Sequence, residues 1–298
     1  MSRLALYTTI YPGVERFLAD WYGSVLEQSD QDFDLIIGLD NLDISAVIDA
    51  LGSEPCATWV PAAPGASLAQ VRQNAFERIV CGYQEVVFVD SDDILMPQRV
   101  AAARKMLETV DVVASSMSLV DESGRGLGVT FCMPERDEPD KWLLHGNVFG
   151  LSNTAYRVTT LERCLPVPDE CVLVDWYLAT RAWLAGARLG FDLSVQMAYR
   201  QHGQNMASPL PPFTSAKILT ATRYVRLHYA LVLKSLQPTD QRQADFEKVY
   251  ERIGEFYGKI HSRVDVLEDY TAALNQLPGQ SVWWACVAHP ALEELWRK

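Results

Sequence analysis

The chain predicts an α/β protein with a mainly parallel sheet sandwiched between helices, followed by a C-terminal helical extension. Two observations carry this. In the first third, short apolar runs rich in Val, Ile and Leu alternate with segments whose apolar residues recur every three or four positions, a strand–helix–strand–helix order that implies a parallel sheet covered on both faces. After Ser208-Pro209-Leu210-Pro211-Pro212, which reads as a linker, only the helical repeat remains. Of the 298 residues, 49% are hydrophobic, enough to bury a sizeable core.

The elements follow in order. Leu4 to Thr9 is a first buried strand, broken by Pro12-Gly13. Val14 to Leu26 is a helix with Val14, Phe17, Leu18, Trp21, Tyr22 and Val25 on its apolar face. Phe33 to Asp40 is a second strand, Ile44 to Leu51 a short helix and Ala57 to Val60 a short strand. Ser67 is placed to N-cap a helix that buries Leu68, Val71, Ala75, Phe76, Ile79 and Val80. Val86 to Val89 is a strand buried on both faces, and Pro97 suits the first turn of a helix reaching Thr109. The pattern then changes. Asp111 to Val120 is strand-like, 121–126 is a turn, and Gly128 to Phe131 could pair back across it. Gly146 to Tyr156 is a strand candidate, Leu173 to Leu184 an amphipathic helix and Arg188 to Tyr199 a strand. In the extension, Ile218, Ala221, Val225, Tyr229 and Val232 form one helical face, and Phe246 to Leu274 gives a second long repeat.

Charge narrows the classes of function. The net charge is −12, which argues against a nucleic-acid binder, since that needs a basic footprint. The acid is uneven: residues 1–212 carry −13 and residues 213–298 carry +1. Leu193 to Thr239 contains no Asp or Glu but holds Arg200, Lys217, Arg223, Arg226 and Lys234, either an ordinary solvated face or a surface for an anionic partner. The six cysteines form no C-x-x-C, the N-terminus reads as a strand rather than a signal peptide, and no apolar run approaches the roughly 18 residues of a membrane span. Together these place the protein in the cytoplasm, with free thiols, and compatible with peripheral contact at the inner face of the membrane.

The most informative stretch is Val86-Val87-Phe88-Val89-Asp90-Ser91-Asp92-Asp93. Three acids at the end of a buried strand repel one another unless a cation joins them, and hard divalent ions such as Mn²⁺ or Mg²⁺ prefer oxygen ligands. Open α/β sheets bind ligands at the carboxyl ends of their strands, where Thr8, Asp40 and Asp90 also fall.

Taken together, residues 4–205 resemble a family 2 glycosyltransferase of the GT-A fold. Three segments in order carry the resemblance: Arg72-Gln73-Asn74 ahead of Val86 to Pro97; Val174-Asp175-Trp176-Tyr177-Leu178, similar to the family's E-D-W-x-L; and Tyr199-Arg200-Gln201-His202-Gly203-Gln204-Asn205, similar to Y-R-x-H-x-x-N. The resemblance implies a catalytic domain over residues 1–207, with a nucleotide-binding half to about residue 93, and a helical extension over 208–298. It implies transfer from a nucleotide-sugar donor, UDP-sugar favoured, to a saccharide or lipid-linked saccharide, with inversion, in surface polysaccharide assembly. Asp92 would ligate a divalent metal, His202 would add a ligand through its neutral imidazole, and Asp90 would meet the ribose or a metal-bound water. Asp93 would be structural. Asp175 would be the general base that takes the acceptor hydroxyl's proton, although Asp is also a preferred N-cap, and Asp169 and Glu170 are rivals. Thr8, Asp40 and Arg72 match nucleotide-reading positions more loosely; Asp40 could equally be a turn residue and Arg72 a surface ion pair. The chain departs from the family pattern at Val174, where Glu is usual, and in Asp40-Asn41-Leu42-Asp43, where D-D-G-S is usual. Trp142, His145 and Asn147 stand where an acceptor side could form.

Three other readings compete. A haloacid-dehalogenase-type phosphatase also ends a strand on D-x-D, but normally after the first strand and with Thr or Val where this chain has Ile94. A nucleotidyltransferase would want a Gly-rich loop and a Lys after the first strand. A non-catalytic nucleotide-sugar binder would keep the fold without the chemistry.

Overall fold

The computed structural model describes residues 3–133, 142–207, 209–237, 239–278 and 282–297. One sheet organises the chain. Its strands are β1 (Leu4–Ile10), β2 (Phe33–Leu39), β3 (Ala57–Pro61), β4 (Glu85–Phe88), β5 (Ile94–Leu95), β6 (Val112–Val120), β7 (Gly126–Phe131), β8 (Thr154–Arg157) and β9 (Leu189–Arg200), in the order β3-β2-β1-β4-β8-β6-β9-β5 with β7 on β6. The first four pair in parallel, with Leu6 opposite Leu35 and Val87, and β6 runs parallel to β9. β8 enters antiparallel between β4 and β6 and so joins the two parallel blocks.

Alternation along β1 divides the core. Leu4, Leu6 and Ile10 face one apolar cluster with Trp21, Val100 and Leu107; Ala5 and Tyr7 face the other, with Phe76, Trp176 and Leu178. Residues of the extension, including Ile218, Tyr229, Phe246 and Phe256, belong to that second cluster, so the extension completes a core rather than standing apart. Trp176 stacks on His228 at 4.1 Å, and the Tyr229 hydroxyl donates to the Leu144 carbonyl at 2.7 Å.

Ser67 caps the helix Leu68–Gly82 through a reciprocal bond with Gln70, as its position predicts. The helix expected from Val14 is an α-helix only over Leu18–Leu26, after a 3-10 turn. That expected at Pro97 starts at Arg99, since the Arg99 amide first closes a turn onto the Met96 carbonyl. The strand expected over Gly146–Tyr156 is a strand only from Thr154. Before it, the Asn147 side chain accepts from the Phe149 amide at 2.9 Å, and its own amide donates to the Phe149 carbonyl at 3.2 Å. A side chain that satisfies the backbone locally takes the place of a ladder, while Val148, Phe149 and Leu151 still bury their apolar groups. The long repeat over Phe246–Leu274 is two helices, Gln243–Ser262 and Val264–Leu274, broken at the extended Arg263.

Candidate active site

A cavity of about 450 Å³ opens at the carboxyl ends of the first strands. Asp40, Arg72, Asp90, Asp92 and Asp175 all line it. They come from the end of β2, the helix Leu68–Gly82, the turn after β4 and the helix Val174–Leu184, so only the folded sheet brings them together.

The acid turn is held from behind. Asp93 is fully buried; it accepts from the Ser152 hydroxyl and, at 2.8 Å, from the Arg200 amide. The buried Arg200 guanidinium donates to the Asp92 carbonyl (2.8 Å), the Glu122 carbonyl (2.8 Å) and the Asp20 carboxylate (2.9 Å). Arg200 therefore braces the turn from inside, which corrects its grouping with the cations of the acid-free stretch. Arg223 and Arg226 of that stretch are exposed, Arg226 lying 5.2 Å over the Tyr257 ring.

With Asp93 engaged, Asp92 turns its carboxylate to the cavity. Its Oδ2 accepts from the Tyr11 hydroxyl at 2.9 Å and lies 2.9 Å from His202 Nε2. His202 packs 4.9 Å from the Phe17 ring, and its loop is tied by Asn205, whose amide donates to the Arg200 carbonyl at 2.9 Å. Asp90 faces Arg72, with Nη2 3.8 Å from Oδ1. Burial, then the neighbouring Asp92 and Asp175 charges, push the Asp90 carboxyl up to about 7 against the pull of Arg72. Burial, then Asp92 and Asp90, push Asp93 well above the carboxylate range.

Asp175 lies in the first turn of its helix and not at the cap, which is Leu173; capping therefore does not account for it. Its Oδ2 accepts from Asn147 Nδ2 at 2.8 Å. Burial raises the Asp175 carboxyl above its ordinary value, while the Trp176 amide, Arg72 and Asn147 oppose the rise. Among its rivals, Asp169 is occupied by Gln70 at 2.9 Å, and neither Asp169 nor Glu170 lines the cavity. The position of Thr8 is a correction. β1 continues to Ile10, so Thr8 is fully buried within the strand, and Tyr11 and Pro12 reach the cavity instead.

The donor set can be tested against a divalent metal. Among the described residues no group of three or more His, Cys, Asp and Glu converges as a metal cage. Asp92 and His202 do meet at one point, offering a carboxylate and an imidazole, and Mg²⁺-like ions commonly take one or two protein ligands and complete their shell with phosphate oxygens and water. Burial raises Asp90 and Asp93 most, and the repulsion among the three acids adds to it; that repulsion is what a cation would relieve. The residues thus fit a metal held jointly with a diphosphate.

Sequence reasoning missed several members of the site. The sequence places Asn147 beside the acceptor region, but its bond to Asp175 has no local signal. Trp142 and His145 line a different cavity, against the C-terminal helices. Trp283 and Trp284, from the end of the chain, form a wall of the main cavity, and nothing in their local sequence signals it. Gly150 is the partner signal: a Cβ there would lie 2.6 Å from the Trp283 ring.

No protein-family model and no curated protein sequence matches the chain. Solved structures do, and the likeness is one of fold. In particular, it is similar to residues 1–349 of S. aureus TarS in complex with UDP-GlcNAc, with a TM-score of 0.58 and 15% identity over 87% of this chain and 72% of that one. It is also similar to the mannosyltransferase PcManGT of Pyrobaculum calidifontis in complex with GDP-Man and Mn²⁺, with a TM-score of 0.58 and 15% identity over 99% of this chain and 81% of that one. The α/β fold expected from the sequence agrees with both.

Proposed function

We propose that the protein is a metal-dependent, inverting glycosyltransferase that moves a sugar from a nucleotide-sugar, UDP-sugar favoured, to a hydroxyl of a saccharide or lipid-linked saccharide. One observation carries the reading. A half-buried carboxylate that makes no ion pair among the described residues, Asp175, shares a single cavity with Asp90, Asp92 and Arg72. A base and a phosphate-and-metal end thus face one cavity from different elements, as a displacement at an anomeric carbon requires.

In this reading Asp40 and Arg72 hold the nucleotide, and Asp90 accepts from the ribose hydroxyls. Asp92 and His202 would hold a divalent ion, which supplies Lewis-acid stabilisation of the diphosphate as it gains charge. Asp175 takes the proton of the acceptor hydroxyl as its oxygen bonds to the anomeric carbon. The carbon–oxygen bond to phosphate breaks on the opposite face, its electron pair leaving with the diphosphate, so configuration inverts. Asn147 keeps Asp175 oriented and favours its ionised form. Residues 1–207 are read as the catalytic domain and 208–298 as an extension that closes the acceptor side. Among the described residues no helix is long and apolar enough to cross a membrane; we place the enzyme in the cytoplasm, in contact with the inner membrane face where the acceptor is lipid-linked.

A thermal-shift panel of UDP-, GDP- and dTDP-sugars, with and without Mn²⁺, tests this. The expected result is a Mn²⁺-dependent shift with a UDP-sugar, followed by turnover. No shift with any nucleotide would sink the reading, and binding without turnover would leave a nucleotide-sugar binder.

A further inference from the structure

The second cavity, about 300 Å³, adjoins the first: Asn205, Met206, Ala207 and Trp284 line both. It opens off the active site where the loop after His202 meets Trp284, and it follows the helix Ser215–Ser235, whose Lys217, Thr220 and Tyr224 form its other wall. We propose that this groove is an acceptor subsite. It binds the saccharide unit next to the one that carries the reacting hydroxyl, stacked on Trp284, with polar or anionic substituents toward Lys217. The inference deepens the glycosyl-transfer reading and rests on it.

Three observations support it. First, Trp284 holds a left-handed backbone, φ +70°, which is unfavourable for a bulky side chain and is found where surrounding structure enforces it. The enforcement is visible. Trp283 pairs with Asn147 through both backbone groups (3.2 and 2.9 Å) and stacks on Phe131 at 4.2 Å. The same Asn147 donates to Asp175, so the position of Trp284 is registered to the base through Trp283 and Asn147. Second, Trp284 is half-buried and meets Tyr224 at 6.4 Å and 82°. Two aromatic walls at right angles suit the apolar face and edge of a sugar ring. Third, among the described residues no carboxylate lines the groove, in a protein of net charge −12. Lys217 is exposed there. A groove that spares acidic groups accepts hydroxyls or anions and rejects cations.

The test uses the full-length protein with the donor identified above. Acceptors are p-nitrophenyl monosaccharides and the matching p-nitrophenyl disaccharides. The readout is the ratio of kcat/KM between disaccharide and monosaccharide, in which the donor step cancels. The wild type should prefer disaccharides by about 10-fold, on the scale of a buried aromatic contact. Tyr224→Ala and Trp284→Ala should abolish that preference through KM, Trp284→Phe should restore much of it, and Lys217→Glu should lower it most for disaccharides bearing a phosphate or carboxylate. A preference unchanged in Tyr224→Ala and Trp284→Ala would overturn the proposal. If the wild type binds donor without turnover, the transfer reading fails, and the subsite is judged by ligand-observed NMR of a p-nitrophenyl disaccharide with UDP present. Binding lost in Trp284→Ala then supports it; binding equal in both refutes it.

Discussion

Asn147→Ala is the most revealing single change. Asn147 is fully buried and donates one hydrogen bond to Asp175 at 2.8 Å. A hydrogen bond to a charged group is worth about 1.5–3 kcal/mol. If that is lost where Asp175 acts, kcat falls about 10- to 150-fold. The pH dependence has a definite sign. A base works ionised, so the rate rises with pH through the Asp175 carboxyl, already raised by burial. The Asn147 N–H favours the ionised form, so its removal raises that carboxyl further and moves the acid limb to higher pH. Asn147→Asp, which sets a second carboxylate against the first, should move it further. The assay is the pH profile of kcat at saturating donor and acceptor, for both variants and for Asp175→Asn. A purely structural Asn147 would behave differently, since it also bonds both backbone groups of Phe149. The double variant separates the two. In an Asp175→Asn background, Asn147→Ala should cost little more. An equal factor in both backgrounds, with the acid limb unmoved, would refute the orienting role.

Other changes probe the remaining parts. Asp92→Asn should abolish the Mn²⁺-dependent part of the thermal shift, and EDTA should silence the wild type until Mn²⁺ is restored; EDTA-resistant turnover would exclude the metal role. Arg72→Met, removing the guanidinium 3.8 Å from Asp90, should weaken nucleotide-sugar affinity about 10-fold by calorimetry, the scale of one charged hydrogen bond. Gly150→Ala drives a methyl to 2.6 Å from the Trp283 ring and should cost about 1–3 kcal/mol in denaturant unfolding. Arg200→Met leaves the Asp92 and Glu122 carbonyls without their donor and should cost about 1–3 kcal/mol for each, with little rescue by Lys, whose single ammonium cannot replace the fork.

Much of the frame is local and was legible from order alone. Alternating apolar runs and helical repeats declare a covered parallel sheet because burial on two faces leaves a plain apolar signature. The Ser67 cap and the acids after Val89 are likewise readable, since a cap or a strand end needs only neighbouring residues. Gly146 to Tyr156 differs from expectation for a matching reason: its apolar residues have a strand's composition, but whether they pair depends on where the Asn147 amide finds its bonds. Thr8 falls inside the strand because strand length is set by the neighbour β2, which pairs with β1 as far as Ile10. What the sequence by itself determined is the fold class and the inventory of acids. Only the tertiary structure decided which acid faces the cavity: Arg200 and Ser152 occupy Asp93, Gln70 occupies Asp169, Asn147 aligns Asp175, and Trp283 and Trp284 return from the far end of the chain to build the wall. The physical reason is range. Capping and periodicity act over a few residues, whereas a hydrogen bond or a ring contact is indifferent to the number of residues between its partners.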